Sequence, residues 1–193
     1  MSRGYFVTGT DTGVGKTLVS QALIYKLRKT YASVAGFKPV ASGCRMTPEG
    51  LRNEDALALQ QASSVVLSYT TVNPYAFAPP VAPHVGGWLV PLNEQQTVAD
   101  LAQMLGLPVV LVVGLRLGCI NHALLTAAAI RARGLDIMGW VANQIDPAFS
   151  FCEENIAAID ARMGAPLLMR IPQYVTSPRA EDLSACFPDR NDV

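Results

Sequence analysis

Tyr5-Phe6-Val7-Thr8-Gly9-Thr10-Asp11-Thr12-Gly13-Val14-Gly15-Lys16-Thr17, running on into Leu18-Val19-Ser20-Gln21-Ala22-Leu23, is the stretch that decides the fold. A short apolar run, a glycine-punctuated loop, Gly-Lys-Thr and a helical pattern predict a strand, a phosphate cradle and the helix that leaves it. Glycines let successive backbone N–H groups turn inward, and the free N–H groups at the helix start add partial positive charge, so such a loop suits a polyphosphate. Lys16 is expected to reach the β- and γ-phosphates and the Thr17 hydroxyl to face Mg²⁺, with Gly13, Val14, Gly15 and Leu18 completing the nucleotide contacts. The spacing departs from the strict G-x-x-x-x-G-K-[ST] pattern, because the nearest preceding glycine is Gly9 and Thr10 stands where the first glycine belongs. A chance Gly-Lys-Thr in a turn is the bland alternative, and the strand before it and helix after it argue against that.

A chain of 193 residues, 50% of them hydrophobic, can bury a substantial core, and residues 1–193 are expected to form one domain. Lys plus Arg number 15 and Asp plus Glu 15, so no basic excess marks a nucleic-acid or anionic-membrane partner, and small molecules are the expected ligands. Met1 to Gly4 lead straight into the first strand without the apolar stretch of a signal peptide, and a cytoplasmic location is expected. Cys44, Cys119, Cys152 and Cys186 form no C-x-x-C pair and have only His84 and His122 to join them, so structural thiols are expected rather than zinc or disulfides.

Along the chain, Leu18, Val19, Ala22, Leu23 and Leu27 predict a helix over Lys16 to Lys29. Val34 to Lys38 reads as a second parallel strand stopped by Pro39, which puts Lys38 at the carboxyl edge where open α/β sheets bind ligands. The Ser42-Gly43 turn follows. Asn53-Glu54-Asp55 opens a helix over Ala56 to Gln61, with Asp55 either a capping carboxylate or a metal ligand. Asn73 to His84 is proline-rich and reads as a loop. Thr97 with Asp100 predicts a capping box for a helix that Gly106 stops. Leu107 to Val113 reads as a strand covered on both faces.

Asn121 then reads as the cap of a long helix ending near Arg133 and Gly134; its free N–H groups are an anion site or simply an ordinary helix start. Asp136 to Asn143 is the next strand, and the amides of Asn143 and Gln144 suit an adenine edge or plain turn chemistry. Ser150 and Glu153 predict a second capping box, Gly164 the end of that helix, and Leu167 to Ile171 the last strand. Pro172, Gln173 and Tyr174 follow on the ligand edge. Strands alternating with helices and a phosphate loop after the first strand specify an α/β, P-loop NTPase-type fold, a doubly wound and mostly parallel sheet with helices on both faces.

The loop Gly9 to Thr17, taken with Lys38-Pro39-Val40-Ala41-Ser42-Gly43, Asn73-Pro74-Tyr75 and Leu117-Gly118-Cys119-Ile120-Asn121-His122, resembles the dethiobiotin synthetases from Tyr5 to about Pro178. The resemblance implies an ATP-dependent cyclo-ligase of biotin biosynthesis, forming carbon–nitrogen bonds as it carboxylates 7,8-diaminononanoate with CO2 and releases ADP and phosphate. It implies catalytic roles for Lys38, Lys16 and Thr12, substrate contacts at Ser42, Gly118, Cys119 and Asn121, and Mg²⁺ held by Thr17 and Asp55. The base would be met by Asn143, Gln144, Pro172, Gln173 and Tyr174, and a homodimer would share sites, the partner subunit's turn at 118–121 holding the substrate carboxylate. The family often has a glutamate near Arg179, so the base pocket is expected to differ. Two rivals are weaker. Partition-type ATPase switches carry a second lysine early in the loop, where Asp11 stands here, and ATP-dependent amidoligases usually need an attached glutaminase domain.

One departure is large. The family has a strand ending in Glu-Gly-Ala-Gly-Gly beside the P-loop strand, and this chain has only Gly86-Gly87-Trp88-Leu89-Val90-Pro91-Leu92. The junction at Val85-Gly86 keeps two glycines and drops the glutamate, its strand and the preceding helix, a helix-plus-strand unit of ~30 residues. Glu94, beyond Pro91, is a poor substitute. Either the unit is truly deleted, or residues are omitted with the numbering closed over them. A true deletion is expected to leave the domain short of one central strand, with weakened Mg²⁺ binding and little synthetase activity.

Overall fold

The computed structural model describes residues 4–78, 86–173 and 178–188. Its elements run β1 (Phe6–Gly9), α1 (Lys16–Arg28), β2 (Val40–Ala41), β3 (Arg45–Thr47), β4 (Gly50–Arg52), α2 (Glu54–Ala62), α3 (Tyr69–Val72) and β5 (Tyr75–Ala76). They continue with α4 (Val98–Leu105), β6 (Val109–Leu115), α5 (Cys119–Ala132), β7 (Ile137–Gln144), α6 (Cys152–Met163), β8 (Leu167–Ile171) and α7 (Ala180–Leu183). The chain divides into two compact units. One comprises Met1–Lys16, Gly86–Pro178 and Cys186–Val193, the other Thr17–Val85 and Arg179–Ala185.

In the first unit a parallel sheet has the order β1-β6-β7-β8. β6 is buried at every position, as a continuous apolar run in a parallel sheet with both faces covered must be, and it starts two residues later than the pattern suggests. Val109, Leu111 and Val113 share one core with Ala123, Ala127 and Ile130 of α5 and Ile156, Ile159 and Met163 of α6. Trp140 is fully buried in that core and its indole N–H donates to Asp160 Oδ1 at 3.3 Å, so the ring adds apolar area without an orphaned donor. Gly139 lets β8 approach closely, since a Cβ there would sit 2.5 Å from Leu168 Cγ. Among the described residues β1 pairs with β6 alone.

Helix ends follow the sequence in part. α4 has the expected capping box, Thr97 accepting from Asp100 N and Asp100 reaching back to Thr97 N, and such a cap contributes ~1 kcal/mol. Gly106 and Gly164 end α4 and α6 at φ 60 and 61, a left-handed conformation that glycine adopts without strain. Two caps differ from expectation. α5 starts at Cys119 with Gly118 (φ 90) as its N-cap, so Asn121 lies inside the first turn; the glycine turns the chain sharply and Cys119 N finds Arg116 O. α6 has Phe151 as N-cap, and the Ser150–Glu153 box does not form because Ser150 donates to Ala148 O and Glu153 pairs with Arg170.

In the second unit α1 and α2 pack through Ile24, Leu59 and Ala62, and Ala56, Tyr69 and Val72 form a smaller cluster. Gly36 fits where a Cβ would press to 2.8 Å from Ile24 Cδ1. The expected strand over Val34 to Lys38 is absent. That segment satisfies its backbone elsewhere: Val34 N donates to Ser64 Oγ, Gly36 N to Ser63 Oγ and Lys38 N to Val72 O, which leaves no ladder to build. Pro39 precedes a two-residue strand instead of stopping a longer one, and β2 pairs in parallel with β5. β5 lies inside the segment read as loop, whose remainder, Pro79 to His84, falls outside the described residues together with Val85 and Tyr174. β3 and β4 form an antiparallel hairpin. No helix among the described residues is long and apolar enough to cross a membrane.

Candidate active site

The sheet of the first unit is parallel, so the chain leaves β1, β6, β7 and β8 at one edge. The phosphate loop follows β1, Arg116 follows β6, Asn143 and Gln144 end β7, and Pro172 and Gln173 follow β8. Of the edge read from the sequence as ligand-binding, the ends of these four strands are present in the first unit, whereas Lys38 does not stand at a strand end, because the strand expected over Val34 to Lys38 does not form.

The loop is held by its smallest residues. Gly13 and Gly15 have φ +76 and +94, conformations that a side chain would strain. Val14 is 1% exposed, and it fits because Gly9 and Gly114 lack side chains: a Cβ at either would come within 2.6 and 2.7 Å of its methyl groups. The Val14 carbonyl accepts a hydrogen bond from Asn143 Nδ2 at 2.8 Å. Thr10 N donates to Val112 O, which anchors the start of the loop to β6.

Charge gathers on Asp11. Lys16 Nζ donates to the Asp11 carbonyl at 2.7 Å, and the Asp11 carboxylate accepts from Thr12 N and pairs with Arg116. A phosphate oxygen is a stronger acceptor for an ammonium than a peptide carbonyl is. Sequence reading missed Arg116; its position directly after a buried apolar strand was the available signal. It also missed Gly86 as a loop neighbour. A Cβ there would collide with the Thr12 hydroxyl and lie 2.7 Å from Thr12 Cα, so the chain beyond the junction runs against the loop.

The second unit organises Lys38. Its Nζ is 3.1 Å from Asp55 Oδ2, with side chains 24% and 47% exposed. Its backbone is fixed by Lys38 N to Val72 O and by Asn73 Nδ2 to Lys38 O at 2.7 Å. Asn73 is buried and accepts from Tyr69 Oη, which itself accepts from Asn53 N, so a relay of hydrogen bonds joins the start of α2 to Lys38. Burial raises the Tyr69 hydroxyl above its ordinary pKa. Asp55 is not the cap. Asn53 is, accepting from Ala56 N, and Asp55 stands in the first turn, where its charge suits the helix dipole. Ser42 precedes Gly43, which turns at φ +67 between β2 and β3.

The start of α5 borders a cavity of about 560 Å³ lined by Leu117, Gly118, Ile120, Asn121 and Leu125 among others. Leu117 is 89% exposed. Gly118 and Asn121 face this cavity, whereas Cys119 is buried and donates its thiol to Asn155 Oδ1. Burial pushes the nearby Cys152 thiol above its ordinary pKa, away from thiolate chemistry.

For Mg²⁺ the donors expected are the Thr17 hydroxyl and the Asp55 carboxylate. Both are hard oxygen ligands, right in kind for that ion, but Asp55 is engaged by Lys38. Among the described residues no group of three or more His, Cys, Asp or Glu side chains could hold a metal. The donor set suits an ion brought in on phosphates and does not make a protein cage.

A family model described as an AAA domain matches this chain over residues 3–86 and again over 85–179. Proteins described as ATP-dependent dethiobiotin synthetases are similar to it. One from Pseudomonas aeruginosa (strain UCBPP-PA14) is 47% identical over 203 residues, covering 88% of this chain and 89% of the relative. One from Xanthomonas oryzae pv. oryzae (strain PXO99A) is 48% identical over 201, covering 87% and 90%. One from Cellvibrio japonicus (strain Ueda107) is 46% identical over 204, covering 89% and 90%. In the first alignment, 88% of 193 residues is about 170, so about 33 of its 203 positions have no counterpart in this chain.

Proposed function

This chain belongs to the dethiobiotin synthetase family, and from that premise we propose that its chemistry is the ATP-dependent closure of a ureido ring on 7,8-diaminononanoate. CO2 forms a carbamate on one amine. A carbamate oxygen attacks the γ-phosphorus, ADP leaves, and the resulting carbamic–phosphoric anhydride is attacked at carbon by the second amine, expelling phosphate and closing the ring. No covalent enzyme intermediate is required. Catalysis of this kind is positioning and charge stabilisation, and Lys16 with the loop N–H groups supplies both. The observation that carries the reading is the Lys16–Asp11 carbonyl contact in a glycine-shaped loop, an ammonium held where a phosphate oxygen would compete for it.

Lys38 is proposed to act on the transferring phosphoryl group and Thr12 to assist it, with Ser42 contacting substrate. Asn143, Gln144, Pro172 and Gln173 would meet the base. Mg²⁺ would be held by Thr17, Asp55 and the phosphates, and would supply neutralisation of developing charge. The cavity at Leu117 to Asn121 is proposed as the part of the site lent to a partner subunit in a homodimer, where helix N–H groups would hold the substrate carboxylate. Incubation with ATP, bicarbonate and the diamine, followed by mass analysis, tests the activity; absence of dethiobiotin at high enzyme and Mg²⁺ would overturn it.

A second reading is favoured by the two-part family match meeting at residues 85 and 86. In it the chain has lost the helix-plus-strand unit that carries the family's acidic strand end, and it keeps nucleotide binding with little turnover. Linear dependence of a small residual rate on Mg²⁺ well into the millimolar range would support this version.

A further inference from the structure

Asn143 is the penultimate residue of β7, is 9% exposed, and spends its amide nitrogen on the carbonyl of Val14, two residues before Lys16. The chemistry fixes which way the amide faces, because a carbonyl oxygen can only accept, so the NH2 group must be the end that meets it. The same nitrogen lies where a Cβ on Gly15 would collide with it, and Gly15 has φ +94. The tip of the loop is thus gripped from two sides. The Val14 side chain is pinned by Gly9 and Gly114, and the Val14 carbonyl is pinned by Asn143. Holding that carbonyl on Asn143 also fixes the direction of the following N–H, since the two groups belong to one planar peptide. That N–H belongs to Gly15 and, on the reading of this loop as a phosphate cradle, is one of the donors it would offer to phosphate.

We propose that Asn143 is a positioning residue for the phosphate loop, acting on phosphate affinity through the Val14–Gly15 peptide, in addition to any contact with the base. This rests on the reading of residues 9–17 as a phosphate cradle and is independent of which substrate is carboxylated. It makes a distinction that a base-reading role does not. A side chain that only reads the base affects ligands that have one, whereas a brace of the loop affects a ligand made of phosphate alone.

The experiment measures binding of inorganic tripolyphosphate and of ADP by calorimetry to the full chain, to Lys16→Ala, and to Asn143→Ala and the near-isosteric Asn143→Asp. Far-UV circular dichroism and thermal unfolding on each variant establish that it is folded, and Asn143→Asp serves where Asn143→Ala does not fold. Lys16→Ala should abolish tripolyphosphate binding. Both Asn143 variants should weaken it about five- to tenfold, the effect of one hydrogen bond. Unchanged tripolyphosphate binding in a folded Asn143 variant, with ADP weakened and Lys16→Ala inactive, would overturn the proposal and leave the cradle standing. Tripolyphosphate binding indifferent to Lys16 would overturn the cradle, and the brace with it.

Discussion

Nζ of Lys38 lies 3.1 Å from Oδ2 of Asp55, so the lysine expected to act on phosphate and the carboxylate expected to bind Mg²⁺ are partners of each other. Both side chains keep solvent contact, and a pair of this kind adds only about 0–1 kcal/mol to stability. Its interest is chemical. A metal that draws on Asp55 must compete with an ammonium, and an ammonium that turns to phosphate must leave its carboxylate.

Lys38→Ala should therefore leave ATP affinity within about twofold and lower the single-turnover rate about 10²- to 10³-fold, as removal of a transition-state donor does. Wild-type-like turnover would remove Lys38 from the mechanism. Asp55→Asn should raise the Mg²⁺ concentration giving half-maximal rate roughly tenfold or more; an unchanged Mg²⁺ response would take Asp55 out of the metal site.

If a partner subunit completes the site at the start of α5, specific activity should fall on dilution below the dimer dissociation constant. Leu117→Glu, a charge placed on a side chain that is 89% exposed, should produce the same loss at concentrations where the wild type is dimeric, read by light scattering and turnover together. Constant activity per chain in a proven monomer would exclude a shared site.

The acid limb of stability should carry the mark of Asp100. Hydrogen bonds from the Thr97 hydroxyl and backbone N–H, and from Arg133, lower its carboxyl from the ordinary 3.8 to about 2. A depressed carboxyl contributes stability above its unfolded pKa and loses it as pH falls through the folded value. Urea unfolding of the wild type should thus weaken between pH 4 and pH 2 more steeply than that of Asp100→Asn. Parallel curves for the two proteins would show that the capping box does not titrate as described.

If Val85 is bonded to Gly86, a proteolytic fragment spanning the two residues in the protein isolated from its natural source should have the mass of the contiguous sequence. A proteolytic fragment running across residues 85 and 86 that is several kilodaltons heavier than the contiguous sequence would mean that residues intervene there, and would return the Mg²⁺ site to full strength. With the contiguous fragment found, Mg²⁺ affinity should be roughly tenfold or more below that of the relatives.

Legibility in the sequence followed the range of the interactions involved. β6, β8, the Thr97 cap and the stops at Gly106 and Gly164 could be read because apolar runs and local turn chemistry determine them. The region from Val34 to Lys38 misled because a strand needs a partner at a distance, and the serine hydroxyls of Ser63 and Ser64 supply its backbone partners instead. Asn121 looked like a cap because caps favour asparagine, yet Gly118 turns the chain before it. In the site, the glycines and Lys16 announced themselves by spacing. Arg116 and the grip of Asn143 on Val14 did not, since they join residues 105 and 129 positions apart in the chain.

Gly86 against Thr12 has a bearing on any attempt to rebuild the relatives' longer form. A grafted helix and strand can vary in length and composition along most of its course, but it has to be handed back to the present chain at a residue without a side chain, pressed on the threonine of the nucleotide loop. The graft has a fixed landing point, and Gly86→Ala in the present protein is the simplest gauge of how tightly that landing is defined: it should disturb the loop although the substitution lies outside it.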